Sequence, residues 1–138
     1  MELDCDVLIP AAREDVIDKD LAASMPAKLI VEGANMPITP AAKEILHSRG
    51  ITVVPDFIAN AGGIVAAAHS MDARRSPFVV DPAEVFAMIS AKLRANTVLV
   101  IEESCRRSIP PHEAATLIAQ ERVRTAMEIR GQLKPPVS

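Results

Sequence analysis

Three short apolar runs, each ending abruptly in small or polar residues, constrain the fold of this chain most strongly. They lie within residues 4–12, 27–35 and 50–56. Runs of this length, bounded by turn signals and separated by helical stretches, are typical of strands buried on both faces of a parallel sheet. The pattern predicts an α/β fold with about three parallel strands.

The segments between these runs carry helix signals. Thr39 and Pro40 are a helix N-cap followed by proline at the first helical position, and Gly50 stands where a left-handed C-terminal cap belongs. The first crossover, residues 14–24, is less sharply marked. Its helix is expected to use the apolar residues Val16, Ile17, Leu21 and Ala22.

Longer helices follow the third run. A helix is predicted over residues 64–71. Asp81, Pro82 and Glu84 mark the start of another, which should run to about residue 108, and a last helix is predicted over 112–130. The helix that starts at Asp81 should bury Val85, Phe86, Ile89, Leu93, Val98 and Ile101.

Asn60 and the glycine pair Gly62-Gly63 form a turn that suits a polar, planar ligand. The carboxamide of Asn60 can donate and accept hydrogen bonds at once, and glycines let the backbone approach a ligand closely. Asn60 could equally be the N-cap of the helix that opens here, since Asn is a favoured N-cap. In a parallel sheet, ligands bind beyond the carboxyl ends of the strands, and this edge would carry Ala11, Ala12, Asn35 and Asn60.

Composition narrows the class of protein. The chain has 138 residues, 49% of them hydrophobic, which is enough for one modest core. A net charge of −3 without a basic stripe argues against nucleic-acid binding, and no apolar run approaches the length of a membrane span. The cysteines and histidines lack the spacing of a metal site, and the N-terminus lacks the features of a signal peptide, so we expect a cytoplasmic protein without a metal.

The order of these motifs closely resembles the coenzyme-binding domain of the glutamate/leucine/phenylalanine/valine dehydrogenase family. The resemblance is carried by CDVLIPAA (5–12), KLIVEGANMPITPAAKEIL (28–46) and RGITVVPDFIANAGGI (49–64), and by the run from Ala114 to Gly131. It implies the second half of a doubly wound, Rossmann-like sheet with C-terminal helices. Residues 1–109 would form the partial coenzyme domain with its long helix, 110–131 a C-terminal helix and 132–138 a disordered tail.

The family resemblance also implies oxidative deamination of an L-amino acid to a 2-oxo acid, with hydride passing to NAD or NADP. The implied cofactor-binding residues are Ala11, Ala12, Gly33, Ala34, Asn35 and Asn60. On the substrate side the resemblance points to Ile64 and Ala67. Glutamate-specific members carry a hydroxyl at the position matching Ala67, so the substrate could be glutamate or an aliphatic or aromatic amino acid.

Parts of such an enzyme have no counterpart in this sequence. The five glycines give no Gly-x-Gly-x-x-Gly turn for a pyrophosphate, and the lysines at 19, 28, 43, 92 and 134 resemble solvated charges rather than the family's catalytic lysine. We therefore expect no catalytic residue in this chain and weak or no NAD(P) binding by it alone. An amino-terminal substrate domain would have to be supplied in cis or in trans.

Three functions remain open at this point. The chain could be the carboxyl-terminal piece of an amino-acid dehydrogenase, a non-catalytic binding or regulatory module with the same fold, or a truncated remnant. An unpaired sheet edge would also allow a homodimer.

Overall fold

A computed structural model describes residues 4–74 and 81–132 of the chain. Their strands form one parallel sheet, in the order β1 (Val7–Leu8), β2 (Leu29–Val31) and β3 (Thr52–Val54). Ile30 in the middle strand is in register with Leu8 on one side and Val53 on the other. The predicted α/β fold with three parallel strands is confirmed.

Helices connect these strands and complete the described part of the chain. They are α1 (Lys19–Ser24), α2 (Pro40–Ser48), α3 (Asp56–Ala59), α4 (Gly62–Ala73), α5 (Pro82–Arg107) and α6 (Pro111–Ile129). α1 packs against α2, α4 and α6 each pack against α5, and α6 also contacts β3.

The hydrophobic core lies between the sheet and the pair α1 and α2. Ile30 of the central strand is fully buried there, together with Ile17, Ile38 and Leu46. The strands are not all buried on both faces as predicted, because Val7 in the edge strand β1 is 49% exposed. An edge strand has a neighbour on one side only, which leaves part of β1 uncovered.

The first helix is shorter than its predicted span. Asp18 caps α1, its Oδ1 accepting hydrogen bonds from the backbone N–H groups of Asp20 and Leu21 at 3.1 and 2.9 Å. Val16 and Ile17 therefore precede the helix, and Ile17 instead forms a parallel bridge to Ile38. The prediction that these two residues are helical is wrong, because a good capping residue inside the segment starts the helix after them.

The second crossover follows its capping signals. Thr39 Oγ1 accepts a hydrogen bond from the N–H of Ala42 at 3.4 Å, and Gly50 adopts a φ of 73° beyond the end of α2. Arg49 donates hydrogen bonds to the carbonyl groups of Ala22 and Met25 and so ties the end of α2 to the end of α1.

The two long helices have the predicted bounds to within a few residues, but their buried faces differ. Asp81 caps α5, and Ser108 ends it in the left-handed region with φ of 55°. Phe86 and Val98 are 69% and 50% exposed, whereas Val100 and Ser104 are the buried residues of α5. α3, α4 and α6 each contact α5 over part of its surface, and the other predicted positions on it are at most partly buried. The predicted tail lies, after residue 132, outside the described residues.

Candidate functional site

The carboxyl edge of the sheet brings Asn35 and Asn60 together. Asn35 follows β2 and Asn60 follows β3, and the Nδ2 of Asn60 donates a hydrogen bond of 2.7 Å to the Oδ1 of Asn35. The same Nδ2 lies 3.4 Å from the carbonyl oxygen of Gly33. Both asparagines are exposed, so their remaining donors and acceptors are available to a ligand.

The segment after β1 lies against the same turn. The N–H of Ala34 donates to the carbonyl of Pro10 at 2.9 Å, which extends the contact between the strand ends. A Cβ on Gly33 would lie 3.0 Å from the Cβ of Ala11, a tighter contact than most, so a larger residue here would require the segment after β1 to shift. Ala11 and Ala12 are exposed, and they border an open depression together with Gly33, Ala34 and Asn35.

Asn60 is not the N-cap of the following helix. The short helix α3 lies between β3 and Asn60, which has φ of −100° and ψ of 9° just beyond its end. The N-cap of α4 is Ala61, and no side chain caps that helix. The capping interpretation of Asn60 is wrong, because the Nδ2 of Asn60 donates to Asn35 and the helix begins after Ala61.

Two buried carboxylates support the turns that carry the asparagines. Glu32 is fully buried, and its Oε2 accepts a hydrogen bond of 2.9 Å from the N–H of Asp56. Asp56, also buried, accepts from the N–H of Met36 at 2.8 Å through Oδ2, and from the N–H of Phe57 at 2.8 Å through Oδ1. Burial is the main influence on Glu32 and raises the pKa of its carboxyl group.

Lys43 provides a positive group beside Glu32. Its Nζ lies 3.8 Å from the Oε1 of Glu32, and its side chain is only 15% exposed. The expectation that Lys43 is a solvated charge is therefore wrong. The packing of α2 brings the positive charge of Lys43 close to Glu32, where it partly offsets the cost of burying the carboxylate.

His112 connects helix α6 to this group of charges. Its Nδ1 lies 3.4 Å from the Nζ of Lys43, and its ring meets that of Phe57 edge to face with centroids 5.4 Å apart. Burial, reinforced by the positive charge of Lys43, lowers the pKa of His112, while Asp56 acts in the opposite direction. The uncharged ring thus accepts a hydrogen bond from Lys43 at Nδ1.

Sequence reasoning did not identify Glu32, Asp56 or His112 as part of the site. The available signal was the placement of two carboxylates directly after apolar runs, since an acidic residue at such a position must be buried or bound. Nothing in the sequence indicated that His112, far along the chain, would reach them.

The residues expected on the substrate side lie on α4. Ile64 and Ala67 are separated by one helical turn and both are exposed, Ile64 to 76%. None of the residues of α4 is buried. The structure places Ile64 and Ala67 on one uncovered face, and it shows no hydrogen bond that joins them to Asn35 or Asn60.

In residues 4–74 and 81–132, no group of three or more histidine, cysteine or acidic side chains is arranged to hold a metal ion. Among the same residues, no helix is both long and apolar enough to cross a membrane.

Comparison with known proteins gives a consistent picture. The family model for glutamate/leucine/phenylalanine/valine dehydrogenases matches residues 1–131. The NADP-specific glutamate dehydrogenase of Saccharolobus shibatae is 41% identical over 133 residues, which cover 94% of this chain and 31% of that protein. The NAD-specific enzyme of Staphylococcus aureus is 38% identical over 130 residues, again 94% of this chain and 31% of the relative. The chain thus spans about a third of the length of these relatives.

Solved structures agree with the sequence comparison. Glutamate dehydrogenase from Peptoniphilus asaccharolyticus superimposes with a TM-score of 0.83 at 30% identity, covering 91% of this chain and 32% of that one. The hetero-hexameric glutamate dehydrogenase from Thermus thermophilus, in its leucine-bound form, gives 0.82 at 30% identity, covering 96% and 32%. The fold, the order of the motifs and the match over residues 1–131 show that this chain belongs to the glutamate/leucine/phenylalanine/valine dehydrogenase family.

Proposed function

We propose that this chain is the carboxyl-terminal portion of the coenzyme domain of an NAD(P)-dependent L-amino-acid dehydrogenase. The observation that carries the proposal is the pair of exposed carboxamides, Asn35 and Asn60, held 2.7 Å apart at the carboxyl edge of a parallel sheet. That edge is where ligands of such sheets bind. The relatives named above include both NAD-specific and NADP-specific enzymes, so either nicotinamide cofactor is compatible with the family.

The donor set at this edge fits a nicotinamide group. After the bond between them, the Nδ2 of Asn35 can still donate and the Oδ1 of Asn60 can still accept, which matches a ligand that carries its own carboxamide. The methyl groups of Ala11 and Ala12 add exposed apolar surface beside them. When bound, the cofactor accepts the hydride, while these side chains fix the orientation of the ring.

The substrate side is proposed to be the exposed face of α4. Ala67 offers no hydroxyl that could donate to a side-chain carboxylate, and Ile64 offers apolar surface. A pocket built this way suits an aliphatic or aromatic side chain, although a glutamate side chain could be bound by groups from another domain. The 2-oxo acid would occupy the same face as product.

The catalytic lysine and aspartate are proposed to come from an amino-terminal substrate domain, in cis or in trans. This proposal is supported by relatives about three times as long as this chain. The exposed strand β1 is the edge on which a further strand or a second copy of the chain could pair.

Nicotinamide mononucleotide provides a direct test on the 138-residue chain. The ligand, at millimolar concentration, should shift the side-chain amide signals of Asn35 and Asn60 in a nitrogen-15 NMR spectrum, whereas adenosine monophosphate should not. Asn60→Ala should remove the shift at Asn35. Asn96→Ala is a matched control, because Asn96 lies on the long helix α5 and accepts its hydrogen bond from Arg122 of α6.

Turnover provides the second readout once the chain is joined to an amino-terminal half. Asn60→Ala should lower kcat/KM by about 10- to 100-fold, because a buried polar partner left unpaired costs about 1–3 kcal/mol in the transition state. Unchanged amide signals with nicotinamide mononucleotide, or unchanged turnover per folded molecule, would contradict the proposal. A non-catalytic module would bind the ligand weakly and gain no turnover from any amino-terminal half.

A further inference from the structure

Glu32 and Asp56 form a reciprocal cross-link between the two turns of the site. Glu32 directly follows β2 and accepts from the N–H of Asp56, which lies after β3. Asp56 accepts in turn from the N–H of Met36, in the turn after β2. The two bonds, 2.9 and 2.8 Å long, run in opposite directions between the same pair of segments. They fix the spacing of these segments just below Asn35 and Asn60.

The cross-link is unfavourable for the stability of the folded chain. Burying a carboxylate is strongly unfavourable, and two buried carboxylates also repel each other. Lys43 offsets this only partly, since its Nζ is 3.8 Å from the Oε1 of Glu32 and that oxygen has no hydrogen bond within the described structure. Apolar side chains could fill the same space at lower cost.

The backbone held by Asp56 is itself strained. Met36, whose N–H donates to Asp56, has φ of 47°, a left-handed conformation that is rare for residues other than glycine, asparagine and aspartate. It directly follows Asn35. The bond to Asp56 therefore stabilises a turn that the chain would otherwise tend to leave, and that turn sets the direction of the Asn35 side chain.

We propose that Glu32 and Asp56 are positioning residues that hold the carboxamides of Asn35 and Asn60 in hydrogen-bonding distance. This inference rests on the proposed function, because the pair they hold is the proposed nicotinamide site. Neither carboxylate touches the cofactor in this role. They act through the backbone of the two turns and keep the site formed before the ligand arrives.

Asp56→Asn in the 138-residue chain tests this inference without any cofactor. An asparagine has a single acceptor oxygen, so it cannot serve both N–H groups that Asp56 serves, and its NH₂ would face a donor. The order parameter of the Asn60 side-chain amide should fall below about 0.6, the range of flexible groups. Solvent exchange of the Met36 amide proton should become about tenfold faster, as expected for the loss of a hydrogen bond to a charged group.

Two controls separate positioning from general destabilisation. Asp6→Asn makes the same chemical change at an exposed carboxylate paired with Lys28 at 2.7 Å. Arg49→Ala removes two hydrogen bonds at the opposite edge of the sheet and lowers stability there. Both should leave the order parameter of the Asn60 amide unchanged.

Glu32→Gln is the second variant and is needed if Asp56→Asn does not fold. Its oxygen can still accept from Asp56, so the order parameter of the Asn60 amide should fall less than in Asp56→Asn. An order parameter equal to that of the unmodified chain in a folded Asp56→Asn, or in a folded Glu32→Gln, overturns the inference. The proposed function is tested separately. It fails if the side-chain amide signal of Asn60 in the unmodified chain does not shift when nicotinamide mononucleotide is added.

Discussion

His112 illustrates how a single residue links distant parts of this fold. It comes from α6, yet its ring contacts Phe57 of α3 and its Nδ1 accepts from Lys43 of α2. Protonation would place a second positive charge beside the Lys43 ammonium in a half-buried setting. The neutral form of the ring is therefore the one that the native packing selects.

This selection predicts a pH dependence of stability. The pKa of His112 is lowered from its ordinary value of 6.5, so the unfolded chain binds the proton more readily than the folded chain. The stabilisation is fully present above about pH 6.5 and is lost as the pH falls through the folded-state pKa. Glu32 acts in the opposite sense. Because its pKa is raised in the folded chain, its carboxyl group contributes less to folding stability as the pH rises.

A histidine variant isolates the contribution of His112. Urea unfolding at pH 7.5 and at pH 5.5 should show that His112→Gln loses less stability toward the lower pH than the unmodified chain does, because the variant lacks the contribution of His112. His47→Gln removes a histidine that lies elsewhere on α2 and should leave the loss in place. An equal loss in the chain and in His112→Gln would show that His112 has no role in it.

Residue-level prediction from sequence succeeded where one position carries its own signal. Asn35 and Asn60 were expected on one edge because both follow strands of a parallel sheet. The sequence predicts a solvated Lys43, because the burial of its side chain depends on Glu32 and on the packing of α2. Such pairings depend on tertiary packing and leave no local pattern in the sequence.

At the scale of the elements, the position of Gly33 determines how closely the ends of β1 and β2 approach. Its missing Cβ leaves space for Ala11, whereas a Cβ on Gly63 in α4 would meet no atom within 4 Å. Gly63 also lies in a helix, where glycine is entropically unfavourable. The two glycines therefore respond oppositely to the same substitution.

Gly33→Ala should destabilise the chain by about 1–3 kcal/mol, because its Cβ forces the strand ends apart. Gly63→Ala should stabilise it by about 0.5–1 kcal/mol through helix propensity. Urea unfolding of both variants under the same conditions provides the measurement. A neutral Gly33→Ala would mean that the segment after β1 moves away without penalty, and would remove the argument for close packing at this edge.

The elements most faithfully predicted are those with local capping signals. Thr39 with Pro40 and Asp81 with Pro82 mark helix starts that the structure confirms, and Gly50 marks an end. α3 was missed because its four residues show no apolar periodicity. The buried face of α5 was misjudged because periodicity does not tell which apolar face finds a partner.

Several large apolar side chains of the described chain are not covered by any other part of it. Large apolar side chains are exposed on α4, α5 and α6, at Ile64, Met71, Phe86 and Ile129. An entire helix, α4, has no buried residue. In the proposed function this surface faces the substrate domain, in keeping with relatives about three times as long as this chain.

The 138-residue chain is expected to bind NAD(P) weakly by itself. The described edge offers two carboxamides and the surface of two alanines for a nicotinamide, but the sequence has no Gly-x-Gly-x-x-Gly turn to take the pyrophosphate. Phosphate contacts at such a turn and a carboxylate on the ribose normally supply much of the binding free energy of the dinucleotide.

Calorimetric titration with NAD and with NADP should therefore give dissociation constants weaker than about 1 µM, or about −8 kcal/mol. Asn60→Ala should weaken any residual binding further, whereas Asn96→Ala should not. Submicromolar binding that survives Asn60→Ala would show that the phosphates are held elsewhere in this chain and that the site at the sheet edge is misplaced.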